Sequence, residues 1–158
     1  MDDQGWILAN AITAGHEQDP SQVSGLLNQC DEEIETFVAD GIYDQADVYE
    51  AVQTHSPEAV IIIPPRKDAA ISGNADDCKP QRDGHIEHIQ NAGRFGWKRT
   101  SGYYKQSHAE NAFARYKQIF GSRLHAKRND SQENEALIAC SILNRMVLLG
   151  SPDSYPVT

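Results

Sequence analysis

Asp40 is the first residue whose type and position could do chemistry. It directly follows the short apolar run Thr36 to Ala39, which is typical of a buried strand, and Gly41 comes next. Open α/β sheets place their sites at the carboxyl ends of strands, so we expect the Asp40 carboxylate to emerge there. Gly41 would let another backbone or a ligand approach closely. The alternative is that Asp-Gly is simply a turn, and the dipeptide alone favours the turn.

Glu110 is the second candidate, because it is the only acid among the nine basic residues between Arg94 and Arg128. An isolated carboxylate among cations is typical of a divalent-metal ligand beside bound phosphate. Ser107-x-x-Glu110 also matches a capping box, in which the glutamate only satisfies backbone donors, and spacing alone favours the cap. Lys117 lies two helical turns further along the same face, roughly 10 Å away, and could grip DNA or simply be solvated.

The charge distribution indicates one surface for phosphates, although the net charge is −9. The first 65 residues contain thirteen acids and no Lys or Arg. The nine basic residues that follow later are Arg94, Lys98, Arg99, Lys105, Arg115, Lys117, Arg123, Lys127 and Arg128. Such asymmetry is typical of a nucleic-acid-binding face. A solvated basic surface is the alternative, and a charge run alone favours it.

Other candidate chemistry is weak. His85 and His88 are three residues apart, which can suit a metal, but no third ligand is near in sequence and a surface helix is favoured. Cys30, Cys78 and Cys140 lack the spacing of a disulfide framework or zinc site and fit a reducing cytosol. We expect no membrane span and no secretory signal, because there is neither a long apolar run nor a charged-then-apolar leader.

Strands and helices alternate first, and helices then close the chain. The predicted strands are Trp6–Thr13, Thr36–Ala39 and Ala59–Ile63, the last ended by Pro64-Pro65. The predicted helices start at Asp19-Pro20 (ending near Cys30), Asp44 (to about His55), Gly84 (to Ala92), Ser107 (to Phe120) and Asp130-Ser131 (to Gly150), and 66–82 is predicted as a loop. This is an α/β pattern with a short sheet, with residues 1–150 as one domain and 151–158 as a tail.

The stretch from Tyr103 to Lys117 resembles the Y-R-E-K signature of DDE transposases from bacterial insertion sequences. The spacings from Tyr103 to Glu110 and from Glu110 to Lys117 both fit. Upstream, the run Ala39 to Asp44 resembles the second-aspartate motif of that family. Further landmarks occur in the family's order, namely Ile63-Pro64-Pro65-Arg66-Lys67, Arg82-Asp83, Gly96-Trp97-Lys98 and Leu143-Asn144-Arg145-Met146.

This resemblance implies an RNase H-like fold and a triad of Asp, Asp and Glu that binds two Mg²⁺ ions, with Mn²⁺ as a substitute. Asp40 would be the second aspartate and Glu110 the glutamate, so that both are catalytic and both bind metal. Lys117 would hold DNA near the cleaved end and Tyr103 would position the strand, with Lys105, Gln106 and Arg115 as further DNA contacts. The partners would be double-stranded DNA and a second transposase chain, in a bacterial cytoplasm at the nucleoid.

Two departures from the family pattern matter. Gln106 stands where the signature has Arg, which removes a bidentate phosphate donor that neighbouring Lys105 could partly replace. The family's first catalytic aspartate lies on a strand that has no counterpart here, and Asp2 and Asp3 are poor replacements. We therefore expect a truncated catalytic domain without strand-transfer activity of its own. The alternatives are a non-enzymatic fragment that binds DNA or a partner transposase, and a hydrolytic nuclease of the same fold, which would need a replacement carboxylate.

Overall fold

The computed structural model describes residues 1–13, 19–71 and 79–150. The chain divides into two compact units, which are treated separately below. Residues Thr13–Ser107 form the sheet unit, whereas Met1–Ile12 and His108–Thr158 form the helical unit. The predicted tail 151–158, Cys78 and the middle of the predicted loop 66–82 lie outside the described residues.

Two short parallel strands form the sheet. They are β1 (Thr36–Val38) and β2 (Val60–Ile62), and Phe37 pairs with Ile61 at the centre of the register. Both strands were predicted from their apolar, largely β-branched sequences, and both are shorter than predicted by one or two residues. Pro64 and Pro65 follow β2 and cannot donate to a ladder, so the sheet ends there.

The predicted helices on either side of β1 are confirmed. A 3-10 helix at Asp19–Gln22 leads into α1 (Val23–Leu27), and α2 (Ala46–His55) connects β1 to β2. These helices pack on each other and on the strands around one core, whose buried members are Val23, Leu27, Ala39, Val48, Tyr49, Val52, Ala59, Ile61 and Ile63.

The third helix begins earlier than predicted. The helical run α3 (Lys79–Thr100) consists of two helices that meet at a kink at Gly93, so the predicted helix end at Ala92 is confirmed, whereas the prediction of a loop up to residue 82 was wrong. Gly93, with φ 71° and ψ 163°, breaks the helical path, and only glycine adopts such a conformation readily. A second helix follows Gly93 and carries the fully buried Trp97.

Two helices dominate the helical unit. α4 (Gln106–Phe120) ends before Gly121, whose φ of 90° suits a helix stop, and α5 (Asn129–Leu148) follows. Both were predicted to within two residues. α5 buries Ala136, Ala139, Cys140, Leu143 and Asn144. Within the described ranges, none of the helices has the length and apolar character that crossing a bilayer requires.

The predicted strand at Trp6–Thr13 was wrong, because residues 1–13 form no strand. In place of a neighbouring strand, the Asn144 side chain bonds to the backbone of Ile7. The Ile7 N–H donates to Asn144 Oδ1 at 2.7 Å, and Asn144 Nδ2 donates to the Ile7 carbonyl at 2.9 Å. One amide on α5 thus satisfies both backbone groups of Ile7, which a neighbouring strand would otherwise have to do.

Asn144→Ala is expected to destabilise the chain by about 1–3 kcal/mol, because it leaves the Ile7 N–H and carbonyl without partners. Chemical denaturation monitored by circular dichroism measures the loss. Ser141→Ala, on the same helix, is the matched control, since the exposed Ser141 hydroxyl only donates to the Leu137 carbonyl. Equal stability of the two variants would contradict the pairing role of Asn144.

Candidate active site

Asp40 lies at the carboxyl end of β1, as predicted. The Ala39 N–H makes the last bond to β2, to the Ile62 carbonyl at 3.3 Å, and Asp40 follows with an exposed side chain. Asp40 also begins a 3-10 turn at Gly41–Tyr43, in which its Oδ1 accepts from the Ile42 N–H at 2.9 Å. Asp40 therefore both follows the end of a strand and begins a turn, so the two alternatives given for Asp40-Gly41 hold together. No described residue contacts Oδ2 by a hydrogen bond or ion pair, so one oxygen stays available to an external ligand.

Gly41 lies against the segment that follows β2. A Cβ on Gly41 would stand 3.2 Å from the Pro64 carbonyl oxygen and 3.7 Å from Pro64 Cγ. The close backbone approach predicted from this glycine is thus confirmed, and the neighbour is the protein's own chain. Since parallel strands end at the same edge of a sheet, this contact places the Asp40 turn beside residues 64–66.

Asp44 is a buried anion that the sequence analysis gave only as a helix start and as the last residue of a family-like motif. Its side chain is fully buried, and Arg82 on α3 grips it with two bonds, Nε to Oδ1 at 2.7 Å and Nη2 to Oδ2 at 3.1 Å. The Arg66 backbone N–H also donates to Oδ2, at 3.1 Å. One carboxylate thereby joins the turn after β1, the segment after β2 and α3.

Two tyrosines adjoin this turn. Burial, followed by the charge of Asp44, raises the pKa of Tyr49. The Tyr49 hydroxyl is buried near that carboxylate, yet it has no hydrogen-bond partner among the described residues. Burial raises the pKa of Tyr43 as well, and the charges of Asp19 and Asp40 add to the effect. Both phenols are therefore held in their neutral, protonated form.

The edge of β2 that faces away from β1 is closed by side chains of α3. The Ile61 N–H donates to Gln81 Oε1 at 2.8 Å, and His85 Nε2 donates to the Ile61 carbonyl at 2.7 Å. Trp97 Nε1 in turn donates to His85 Nδ1 at 3.0 Å. Both ring nitrogens of His85 are occupied, which fixes the neutral tautomer protonated on Nε2 and leaves none for a metal. The His85–His88 pair is therefore structural, as the sequence favoured.

Tyr103 is held by the far end of α3. Its ring lies 5.4 Å from that of the buried Trp97, centroid to centroid, and Lys98 Nζ stands 5.2 Å from the Tyr103 centroid. A 3-10 helix, Tyr103–Lys105, then leads into α4 at Gln106. The Lys105 and Gln106 side chains are half-buried, so this predicted DNA-binding group combines one anchored aromatic ring with cations around it.

Glu110 is exposed on α4, and the predicted capping box around it was wrong. The helix begins at Gln106, so Ser107 lies inside its first turn and is not the N-cap. The Ser107 hydroxyl donates to the Tyr104 carbonyl at 2.7 Å instead. No hydrogen bond or ion pair of the Glu110 carboxylate occurs within the part of the chain that the structure describes. Capping therefore does not account for this carboxylate.

Lys117 is also exposed on α4, where its Nζ lies 4.4 Å above the Phe113 ring. Arg115 is half-buried. The Phe113, Tyr116 and Phe120 rings form a ladder along this helix, but no α4 residue is buried, and the side chain of Phe113 is 59% exposed. The predicted apolar stripe therefore exists and is only partly covered, because Ala112, Tyr116 and Phe120 are half-buried.

The predicted site residues belong to two units. Asp40, Tyr103, Lys105 and Gln106 lie in the sheet unit, whereas Glu110, Arg115 and Lys117 lie in the helical unit. Convergence of Asp40 and Glu110 on shared ions stays a prediction. Among residues 1–13, 19–71 and 79–150, no group of three or more His, Cys, Asp or Glu side chains could hold a metal ion. Asp40 by itself supplies one hard oxygen donor of the kind that Mg²⁺ prefers, so the ligand set among the described residues is incomplete.

Comparison with known proteins agrees with the sequence motifs. The family model described as transposase DDE domain matches residues 1–145. No solved structure matches the chain. Because the match covers nearly the whole sequence, the chain belongs to the transposase DDE domain family.

Gly41→Ala is expected to destabilise the chain by about 1–3 kcal/mol, because the new methyl group would press on the Pro64 backbone. Thermal and urea unfolding measure this effect. Gly25→Ala is the control, since that glycine is an exposed α1 residue with nothing within 4 Å of an added Cβ, and alanine favours the helix. If Gly41→Ala proved as stable as Gly25→Ala, the close approach would be refuted.

Proposed function

We propose that this member of the transposase DDE domain family is a catalytic domain for DNA transposition, of the bacterial insertion-sequence group and of RNase H-like fold. Its chemistry is metal-dependent cleavage and transfer of DNA strands at insertion-sequence ends, in the cytoplasm at the nucleoid. Asp2 and Asp3 are proposed to be poor replacements for the family's first aspartate. The chain alone is therefore proposed to be inactive, and Mg²⁺-dependent nicking by the purified chain would contradict this.

The observation that carries the proposal is the state of Asp40. It stands exposed at the end of a parallel strand, with one carboxylate oxygen bound to the Ile42 N–H and the other without a described partner. A carboxylate fixed through one oxygen and open at the other is suited to bind a hard cation. Its strand-end position is also where α/β folds hold their ligands.

Glu110 is proposed as the second metal-binding carboxylate of this chain. It is exposed, it is the one acid of a strongly basic stretch, and the structure gives it no capping role. When bound, two Mg²⁺ ions would activate the attacking oxygen and stabilise the leaving oxygen of a phosphodiester. The chain's own contribution is to hold two oxygen ligands and to bring cations to the DNA backbone.

The basic residues are proposed to contact DNA phosphates. Lys117 is exposed two helical turns after Glu110, and Arg115 lies on the same helix. Lys105 and Gln106 adjoin Tyr103, whose ring is fixed by Trp97. Such cations bind the DNA backbone independently of its sequence and give an affinity that falls with added salt.

A second candidate function is pairing with another transposase chain. On β2 one edge faces β1 and the other is closed by Gln81 and His85. β1 has no second neighbour among the described residues, so its far edge is open to an added strand. α5 also exposes Leu137 and Ile138. Co-purification with a full-length transposase would support this function, and a chain that stays monomeric beside it would contradict it.

Asp40→Asn is expected to weaken Mn²⁺ binding by about tenfold or more, because the amide removes the charged oxygen donor. The measurement is the electron paramagnetic resonance signal of free Mn²⁺ during a titration. Asp47→Asn is the matched control, since Asp47 is another exposed acid of the sheet unit, in the first turn of α2. Equal Mn²⁺ affinity in the two variants would contradict a metal-binding role for Asp40.

Lys117→Ala is expected to weaken DNA binding at all sequences and to reduce the slope of log affinity against log salt by about 1. Fluorescence anisotropy with a labelled duplex at several salt concentrations gives that slope. Arg145→Ala, which removes an exposed cation outside the basic stretch, serves as the control. An unchanged slope in Lys117→Ala would remove this residue from the DNA interface.

A further inference from the structure

We propose that the ion pair between the buried Asp44 and the partly exposed Arg82 positions the Asp40 carboxylate. The proposal deepens the function proposed above and rests on it, because it concerns the residues that aim a metal ligand. Asp44 is itself not a ligand in this account. Its two oxygens already accept three bonds, from Arg82 Nε, Arg82 Nη2 and the Arg66 N–H, and its side chain is inaccessible to solvent.

Asp40 and Asp44 are the two ends of one 3-10 turn. The Tyr43 N–H donates to the Asp40 carbonyl at 3.1 Å, and the Asp44 N–H donates to the Gly41 carbonyl at 3.4 Å. Inside this turn the Ile42 N–H holds Asp40 Oδ1. A displacement of Asp44 would therefore also move the Asp40 side chain, because only this one turn lies between the two residues.

The far end of the turn is anchored on two other segments. Arg66, four residues past the end of β2, donates its backbone N–H to Asp44. Arg82, on α3, supplies the planar fork whose two nitrogens match the two carboxylate oxygens, and its Nη1 donates to the Ala70 carbonyl at 3.4 Å. With Gly41 packed on Pro64, the turn is fixed at its start and at its end.

A contribution to folding stability does not by itself explain why a charged pair, Asp44 and Arg82, occupies this position. Burial of the Asp44 carboxylate costs desolvation free energy that its attraction to the partly exposed Arg82 only about offsets, so the pair adds little net stability. What the ion pair adds is a fixed direction, because a bidentate guanidinium accepts only one orientation of its carboxylate. Fixed direction is what a metal ligand four residues away requires.

The test is Arg82→Lys, which keeps the positive charge and removes the fork. Two quantities are measured, native-state hydrogen exchange of the Ile42 amide and Mn²⁺ affinity. The reference amide is that of Ser56, which donates to the Val52 carbonyl at the end of α2 and reports the stability of the core. We expect Ile42 to exchange about tenfold faster while Ser56 is unchanged, and Mn²⁺ affinity to fall by about tenfold.

The matched control is Arg128→Lys, which makes the same replacement in the exposed Arg128–Asp130 pair, whose side chains are 81% and 60% accessible. It is expected to leave Ile42 exchange and Mn²⁺ affinity unchanged. Should Arg82→Lys fail to fold, Asp44→Asn gives the same readouts, because it removes the buried charge and keeps the shape, while Arg82 can reach solvent.

Three results would overturn the inference. Ile42 and Ser56 could accelerate equally, which would mean that the pair only stabilises the fold. Ile42 exchange could stay unchanged in the folded variant, which would mean that the turn does not depend on the pair. Mn²⁺ affinity could stay unchanged while Ile42 exchange rises. Failure of the proposed function itself looks different, since wild-type Mn²⁺ affinity would then not depend on Asp40 at all, and the inference would fall with it.

Discussion

The structure of the sheet unit depends on how its backbone groups find partners around a sheet of only two three-residue strands. Such a pair is marginal by itself. Gln81 and His85 complete it by taking the Ile61 N–H and carbonyl, and Trp97 fixes the His85 ring. Asp44 then joins the ends of both strands to the same helix. Gln81, Arg82 and His85 precede the Gly93 kink of α3 and Trp97 follows it, so the positions of Asp40 and Tyr103 depend on both parts of α3.

The sequence predicted what local chemistry determines. β1 and β2 follow from runs of β-branched and aromatic residues, and Pro64-Pro65 gives the end of β2. Prediction from the sequence failed where a side chain distant in the chain makes the backbone hydrogen bonds that a neighbouring strand would make. Trp6–Thr13 has a strand-like composition, yet Asn144, more than 130 residues later, bonds to Ile7 in place of a strand. For α3 the predicted helix end at Ala92 coincides with the kink at Gly93, whereas the predicted start at Gly84 was five residues too late.

The same division holds for the candidate site. Asp40 could be predicted from an apolar run followed by Asp-Gly, since strand ends are where α/β folds place carboxylates. The Asp44–Arg82 pair could not, because its partners are 38 residues apart and neither spacing nor periodicity links them. The one signal of the pair in the sequence was that Asp44 and Arg82 each lie in a motif that resembles the family pattern. For Glu110, local spacing suggested a cap, and the helix start at Gln106 removed that role.

The proposed transposase chemistry depends on Asp40 and Glu110 binding the same ions, although the two residues belong to separate compact units of the chain. A double-mutant cycle in Mn²⁺ affinity tests this most directly, with Asp40→Asn, Glu110→Gln and the two combined. If the ion is shared, each single change weakens binding and the double change costs less than the sum of the two. If Glu110→Gln leaves Mn²⁺ affinity as in the wild type, or if the two losses simply add, the two carboxylates do not form one metal site and the transposase chemistry assigned to them is wrong.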